Sequence, residues 1–358
     1  SIAALDARGT IKVGPRSAGA HPGPACYGLG GVQPTLTDAN LVLGYLDPDF
    51  FLGGDMALDA GAARAAIQST IADPLGISLE RAASGIHEIL SEDVARAFRI
   101  HASERGFDYR QSSMVAFGGS GPVHALSVAR KLRIPRVIFP VAAGVMSALG
   151  LLASPLAFEV SSTREEFVDD LLPDAFTGRF RDLVQEASLP LIHAGLAEAS
   201  IELQCSLDMR YHGQGHEIEV TLPVGKVGAA RFSELAQLFK SHYERLYSGA
   251  SLDAPLVITN WKVKARGPLP SLAAGYTVND QQAEATTVPQ RHRQAWFGSE
   301  WYPIPVYNRY ALRPGDELNG PALIEEREST IVVGPGERVH VDERRNVVAE
   351  LSSAEITR

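Results

Sequence analysis

SMVAFGGSGPVHALSVARKLRIPRVIF, residues 113–139, is the stretch that decides the fold. Its apolar start, residues 113–117, predicts a buried strand, and residues 123–132 predict a helix with Pro122 in its first turn. Residues 136–139 predict a second short strand. A strand, a helix and a strand in this order form a βαβ unit whose two strands run parallel. The sequence therefore predicts an α/β protein.

Between the first strand and the helix lie Gly118, Gly119, Ser120 and Gly121, which we call the glycine turn. Glycines at a strand-to-helix junction let backbone N–H groups approach an anion, and the helix N-terminus adds a partial positive charge. A tight turn that only needs positive φ angles would use the same residues. The pattern is neither the Walker motif nor the Rossmann spacing. It resembles the adenosine-binding turn of the actin, Hsp70 and sugar-kinase superfamily, which implies that these four residues hold a nucleotide.

The flanking sequence predicts further helices and strands. The first 60 residues are rich in glycine and proline and predict ordered loops with short strands. Beyond them, apolar spacings of three and four predict helices, and alternation predicts antiparallel strands. The predicted helices cover residues 59–71, 78–106, 144–152 and 231–247, a charged helix-forming connection covers 160–198, and the strands cover 201–211, 217–222, 256–265 and short pieces from 268 onward.

The composition excludes several classes of protein. The chain has 358 residues, 45% hydrophobic and 21% charged, which is typical of a soluble globular protein with two or three domains. No apolar run approaches the roughly 20 residues that a membrane-spanning helix needs. A net charge of −9 argues against nucleic-acid binding. Two cysteines, Cys26 and Cys205, favour a reducing, cytoplasmic location.

Several motifs, in the same order along the chain, resemble those of the hydantoinase A and 5-oxoprolinase family. The first surrounds His21 within residues 13–28, and the second surrounds Asp38 within residues 34–41. The later motifs lie at residues 103–108, 117–125, 144–150, 208–214 and 320–326. Together they cover nearly the whole chain, which makes the resemblance specific.

The resemblance implies a fold and a division into domains. Residues 1–155 are expected to form one RNase H-like lobe of an actin-like ATPase fold, with the glycine turn at the edge of its sheet. An α+β domain is expected over residues 156–267, and a β-rich terminal domain over 268–358. The Asp-Gly-Gly-Thr phosphate loop of the family is not in the sequence. The chain is therefore expected to correspond to the C-terminal half of a family member, with the N-terminal half preceding it.

His21 and Asp38 are the candidate catalytic residues. The resemblance to oxoprolinase-like members places both toward the reacting centre, where an imidazole can move a proton or hold a metal ion. The alternatives are a surface-loop histidine at position 21 and a helix-capping aspartate at position 38. Cys26 is interpreted as a small core residue rather than a nucleophile.

A divalent metal, magnesium or manganese, is expected to bridge the phosphates of ATP. Asp38, His212 and His216 are the weak candidate ligands. In an extended chain, His212 and His216 would lie about 13 Å apart, so only a sharp turn would bring them together. The alternative interpretation is a polar loop between two strands of a hairpin.

The activity that the resemblance implies is ATP-dependent hydrolysis of a small cyclic amide, of the hydantoin or 5-oxoproline type. ATP would phosphorylate the amide oxygen, which creates a better leaving group for attack by water. A hydantoinase B-like subunit is the expected partner. Acetone and acetophenone carboxylase subunits share the same motifs, so a ketone carboxylase is an alternative. A second alternative is a non-catalytic module that binds partner chains.

Overall fold

The computed structural model describes residues 1–223, 229–247, 252–271 and 288–351. The chain divides into two compact units, and each is described by itself. The first unit is Ser1–Leu149 with Val278–Arg358, and the second is Gly150–Thr277. Within the described ranges, no helix has both the length and the apolar character needed to cross a membrane.

Helices and strands alternate in the middle of the described chain, between a helical segment at residues 36–104 and a segment of strands from residue 256 onward. The helices are α1 (Leu36–Val42), α2 (Ala60–Ile67), α3 (Asp73–Leu75), α4 (Leu79–Glu104), α5 (Gly121–Leu132), α6 (Met146–Ala153), α7 (Pro173–His193) and α8 (Ala229–Leu246). The strands are β1 (Ala3–Leu5), β2 (Ile11–Val13), β3 (Ser113–Val115), β4 (Arg136–Phe139), β5 (Ala157–Phe167), β6 (Glu202–Tyr211), β7 (Ile218–Thr221), β8 (Leu256–Arg266), β9 (Arg291–Phe297), β10 (Glu300–Asn308), β11 (Glu317–Asn319), β12 (Ala322–Glu326), β13 (Ser329–Val333), β14 (Arg338–Val341) and β15 (Val347–Glu350).

Side-chain caps determine where two long predicted helices begin. The Asp59 carboxylate accepts a hydrogen bond from the Ala62 N–H at 2.9 Å, which starts α2. The Ser78 hydroxyl accepts one from the Arg81 N–H at 3.3 Å, which starts α4. These caps satisfy N–H groups that have no partner within the helix. Both predicted starts are confirmed.

The predicted βαβ unit is confirmed in its order and parallel pairing, but the prediction of a buried strand over residues 113–117 was wrong. β3 covers only residues 113–115, and Val115 is 52% exposed, because β3 is at the edge of its sheet. β3 and β4 pair in parallel, with Met114 opposite Val137, and α5 connects them. They form one edge of a five-stranded sheet of order β11-β14-β15-β4-β3. Parallel neighbours joined by a helix are the arrangement that the sequence of residues 113–139 requires.

The same sheet corrects the predicted domain division. β15 pairs antiparallel with β4, with Val348 opposite Ile138. Described residues 288–351 therefore belong to the first unit and do not form a separate terminal domain. The physical reason is that β4 has a second edge of backbone N–H and C=O groups, and these groups need a partner.

A four-stranded sheet of order β13-β12-β10-β9 is packed on both faces. Leu323 and Val332 point into a core cluster that includes residues of α1, α2 and α4. Their neighbours Ile324 and Ile331 point into a second cluster that includes residues of α5 and of the five-stranded sheet. Because side chains alternate along a strand, β12 and β13 supply both clusters at once.

The second unit contains an antiparallel sheet of order β5-β8-β6-β7. Trp261 on β8 is fully buried, and its ring lies 5.5 Å from the ring of Phe176 and 5.2 Å from that of Phe180, both on α7. The next residue, Lys262, forms an ion pair with Asp208 at 2.8 Å. The predicted antiparallel strands at 201–211, 217–222 and 256–265 are confirmed.

Two local predictions were wrong. The connection predicted as helix-forming at 160–198 begins with an 11-residue strand, β5, before α7. The loop region over the first 60 residues contains the helix α1, which starts at a capping box formed by Thr35 and Asp38. The predicted strand pieces at 272–287 lie outside the described residues.

Candidate functional site

The glycine turn connects β3 to the first residue of α5. Gly118 has a φ of +85°, which favours glycine, and its N–H donates to the Ala143 carbonyl at 2.7 Å. The next three N–H groups, those of Gly119, Ser120 and Gly121, have no acceptor within the described ranges. Free N–H groups at the start of a 12-residue helix form a geometry that suits an anion.

The tip of the β12–β13 hairpin packs against this turn. A Cβ atom at Gly119 would lie 3.1 Å from the carbonyl oxygen of Glu328, and one at Gly144 would lie 2.4 Å from the Cβ of Glu328. A Cβ atom at Gly118 or Gly121 would have nothing within 4 Å. The absence of a side chain at position 119 is therefore explained by the hairpin, whereas the Gly121 position faces open space.

A buried carboxyl group lies beside the turn and was missed by the sequence analysis. Glu326 and Ser329 line a small pocket of about 30 Å³ together with Gly119. Glu326 is 3% exposed, and its carboxyl group lies near the backbone N–H groups of Ala142 and Ala143. The Ser329 hydroxyl has no hydrogen-bond partner within the described ranges. Burial raises the pKa of Glu326 to about 7, although the nearby guanidinium of Arg309 acts to lower it. Such a group can donate or accept a proton near neutral pH. The only sequence signal for Glu326 was its position in the motif at residues 320–326.

His21 lies in the loop that precedes the short 3₁₀ helix Ala25–Tyr27. Its side chain is exposed, and it makes no hydrogen bond or ion pair with the residues that the structure describes. This position agrees with the surface-loop alternative. The catalytic role of His21 stays a prediction.

Asp38 is completely buried, and both of its carboxylate oxygens accept hydrogen bonds. Oδ2 accepts from the Ala25 N–H at 3.2 Å, from the Thr35 N–H at 2.8 Å and from the Thr35 hydroxyl at 2.7 Å. Oδ1 accepts from the Cys26 N–H at 2.7 Å. A carboxylate has about four acceptor sites, so these bonds occupy the group. The geometry favours the helix-capping alternative, in which Asp38 also anchors the start of the 3₁₀ helix Ala25–Tyr27.

The residues predicted as weak metal ligands do not come together as a site. His212 and His216 are exposed in the connection between β6 and β7. Among the described residues, no group of three or more His, Cys, Asp or Glu side chains is arranged to hold a metal ion. The magnesium or manganese expected to bridge the phosphates of ATP stays a prediction.

Cys26 is fully buried. Burial and the negative charge of Asp38 raise the pKa of its thiol well above the ordinary value. A thiol in this environment stays protonated and unreactive, which supports its interpretation as a core residue.

The buried His124 and the partly buried His87 form a second cluster that the sequence analysis did not single out. The rings of His87 and His124 stack with their centroids 4.4 Å apart. Asn40 lies between them, with Oδ1 at 3.0 Å from His87 Nδ1 and Nδ2 at 3.3 Å from His124 Nε2. Burial lowers the pKa of His87 to about 4, so this imidazole is neutral at neutral pH. His124 falls inside the motif at 117–125, which was the available signal.

The fold and these motifs place the chain in the hydantoinase/oxoprolinase family. The family model for hydantoinase/oxoprolinase matches residues 1–160, and the model for the hydantoinase/oxoprolinase C-terminal domain matches residues 172–349. The resemblance predicted from the sequence motifs is confirmed.

Particular relatives include enzymes of two kinds. The caprolactamase subunit alpha of Pseudomonas jessenii is 36% identical over 352 residues, which cover 96% of this chain and 50% of the relative. The acetophenone carboxylase gamma subunit of Aromatoleum aromaticum is 32% identical over 365 residues, which cover 96% of this chain and 48% of the relative. The chain thus spans about half the length of the curated relatives it matches.

Two solved structures share the mixed α/β architecture. A nucleotide-free structure of acetone carboxylase matches with a TM-score of 0.73 and 28% identity, over 98% of this chain and 51% of that one. The ATP-dependent caprolactamase from Pseudomonas jessenii matches with a TM-score of 0.72 and 34% identity, over the same shares of the two chains.

Proposed function

We propose that this chain is part of an ATP-dependent enzyme that hydrolyses a small cyclic amide. The observation that carries the proposal is the set of three free N–H groups at the start of α5. The similarity to an ATP-dependent caprolactamase supports both the nucleotide and the amide. We also propose that the first unit contains one lobe of an actin-like ATPase fold, because its βαβ unit carries the glycine turn between strand and helix.

In this proposal, the residues of the glycine turn hold the nucleotide. The N–H groups of Gly119, Ser120 and Gly121 donate to phosphate oxygens, and the N-terminus of α5 favours their negative charge. ATP supplies the phosphoryl group that activates the resonance-stabilised amide oxygen. Glu326, beside the turn, holds or releases a proton near neutral pH. Asp38 keeps the 3₁₀ helix Ala25–Tyr27 in place, and His21 stays a candidate for proton transfer.

The proposed enzyme needs protein segments beyond this chain. Because the chain spans about half of its curated relatives, we propose that the other half of such a protein and a hydantoinase B-like subunit complete the reaction. A cytoplasmic location is part of the same proposal.

A ketone carboxylase is the second candidate function, since acetophenone and acetone carboxylases are among the similar proteins. In that reaction ATP would activate an enol or bicarbonate in place of an amide. The assay that separates the two candidates measures ATP hydrolysis by the assembled enzyme with caprolactam or 5-oxoproline, and in parallel with acetophenone plus bicarbonate. If acetophenone plus bicarbonate stimulates ATP hydrolysis and the cyclic amides do not, the function is that of a ketone carboxylase and the proposed amide hydrolysis is wrong.

The nucleotide assignment is tested by substituting Gly121, whose Cβ position is open. The Gly121→Val variant places a bulky side chain where the ligand is expected, and ATP affinity measured by calorimetry should fall at least about tenfold with an unchanged melting temperature. The matched control is Gly178→Val on α7, where a Cβ atom also has nothing within 4 Å. Equal ATP affinity of Gly121→Val and Gly178→Val would show that the nucleotide does not bind at the glycine turn.

A further inference from the structure

A cavity of about 320 Å³ lies between α4 and α5 in the first unit. Ser84, His87 and Glu88 line it from α4, at the spacing that places side chains on one face of a helix. α5 contributes a similar stripe, from Val123 to Arg130. The volume lies within the range of small-molecule sites, which begins at about 300 Å³.

The charges around the cavity are compensated. Arg130 Nη1 lies 2.5 Å from Glu337 Oε1, and Glu88 forms an ion pair with Lys131. His87 is neutral because burial lowers its pKa to about 4. Each charged residue of the lining thus forms an ion pair with a residue of opposite charge, so the cavity suits a neutral ligand better than an ion.

The polar groups that face the cavity include free hydrogen-bonding positions. His87 Nδ1 is within 3.0 Å of Asn40 Oδ1 and donates to it, so the other ring nitrogen, Nε2, carries a lone pair that can accept. The hydroxyls of Ser84 and Ser127 line the cavity and have no hydrogen-bond partner among the residues that the structure describes. The rest of the wall includes apolar side chains, namely those of Val123, Leu126, Phe297 and Val332.

We propose that this cavity binds a compact neutral molecule with an amide edge, whose N–H donates to His87 Nε2 and whose carbonyl accepts from the Ser84 hydroxyl. Side chains three residues apart on a helix have Cβ atoms about 5–6 Å apart. That separation suits the adjacent N–H and C=O of a cis amide, each with a hydrogen bond of about 2.9 Å. The apolar wall contacts the hydrocarbon part of the ligand.

None of the residues that line this cavity belongs to the glycine turn. The lining on α5 begins at Val123, two residues after Gly121, and ends at Arg130, which at 1.5 Å per residue is about 13 Å along the helix from Gly121. The proposal therefore stands on the cavity alone and does not require that the turn binds a nucleotide.

The test uses 2-piperidone as the probe and its N-methyl derivative, which has no N–H to donate. Binding is measured by protein-observed NMR titration of the wild-type chain. We expect saturable binding of 2-piperidone at about 1 mM, typical of a ligand with about seven non-hydrogen atoms. N-methyl-2-piperidone should bind at least about tenfold more weakly. Equal binding of the two lactams, or no saturation by 2-piperidone, would overturn the proposal.

Substitutions of the lining residues then show whether 2-piperidone binds in this cavity. Ser84→Ala should weaken 2-piperidone binding about tenfold, and Ser103→Ala, an exposed position on the same helix, should leave it unchanged. His87→Phe keeps an aromatic ring but loses both nitrogens, and should also weaken binding. Gly121→Val should have no effect. If Ser84→Ala binds the probe as tightly as Ser103→Ala does, the cavity is not the site.

Discussion

Glu326, the last residue of β12, is almost completely buried. Its pKa rises from an ordinary value of 4.5 to about 7, chiefly because burial disfavours the charged form. A raised carboxyl pKa means that the folded state keeps its proton over a pH range in which the unfolded state has lost it. The contribution to stability is present below pH 4.5 and is lost as the pH rises through 7.

We therefore expect the stability of the wild-type protein to fall between pH 4.5 and 7 by roughly 3 kcal/mol from this residue. Glu326→Gln removes the titrating group, and its free energy of unfolding should change less over the same range. Urea unfolding at several pH values measures both proteins. Identical pH profiles would show that Glu326 does not titrate in this range.

Asp38→Ala tests the capping assignment. The substitution removes the Asp38 half of the capping box of α1 and leaves the N–H groups of Ala25, Cys26 and Thr35 without their acceptor. Together these losses should destabilise the protein by about 2–4 kcal/mol, read as a lower midpoint of urea unfolding. An Asp38→Ala protein that is inactive but fully stable would instead support a catalytic role.

The site was only partly predictable at the level of residues. The glycine turn was found because its N–H groups are a property of local sequence, a strand followed by glycines and a helix. The pKa of Glu326 depends on burial by side chains that are distant in sequence, and no periodicity shows that. The pairing of His87 with Asn40 spans 47 positions and joins two helices, so the sequence carried no signal for it.

At the level of elements, an ion-pair network connects β9 with β12 and with the chain after α1. Arg293 Nη1 lies 2.8 Å from Asp47 Oδ2 and 2.8 Å from Glu325 Oε1. Arg291 reaches the same two carboxylates. Glu325 is 3% exposed, so removing a cation leaves a buried negative charge with less compensation.

Arg293→Ala should therefore destabilise the protein by about 3 kcal/mol, measured by chemical unfolding. The control is Arg96→Ala, which removes the exposed pair between Arg96 and Asp93 at 2.9 Å. Surface pairs contribute at most about 1 kcal/mol, so this control should change stability little. A similar loss of stability in Arg293→Ala and Arg96→Ala would show that the buried network stabilises the protein no more than a surface ion pair does.

Elements with a clear local pattern were predicted well, and β5 shows why others were not. α4, α5 and β8 have regular apolar spacing and one buried face, and they were found. β5 is the edge strand of its sheet, and most of its residues are exposed, including Glu159 and Arg164. A strand with few buried side chains shows little alternation of apolar and polar residues. The charged residues of β5 were therefore interpreted as part of a helix-forming segment.

At the level of the whole molecule, the five-stranded sheet depends on pairing between residues more than 200 positions apart. Local patterns cannot show such pairing, and for this reason the sequence predicted consecutive domains. Removing residues 343–358 should expose the edge of β4 and open the core cluster that includes Val347 and Ala349. Hydrogen exchange should then show lost protection over residues 113–139 and retained protection in β6 and β8. Uniform protection in both units would contradict the pairing of β15 with β4.

The two-faced packing of β12 and β13 also determines when the first unit can form during synthesis on a ribosome. Leu323 and Ile324 complete the two core clusters, yet they are translated after all of residues 1–149 and after the second unit. Because the strands and helices of the second unit all precede β9, the second unit can fold before the first unit is complete. The glycine turn can reach its final surroundings only after the β12–β13 hairpin has been translated.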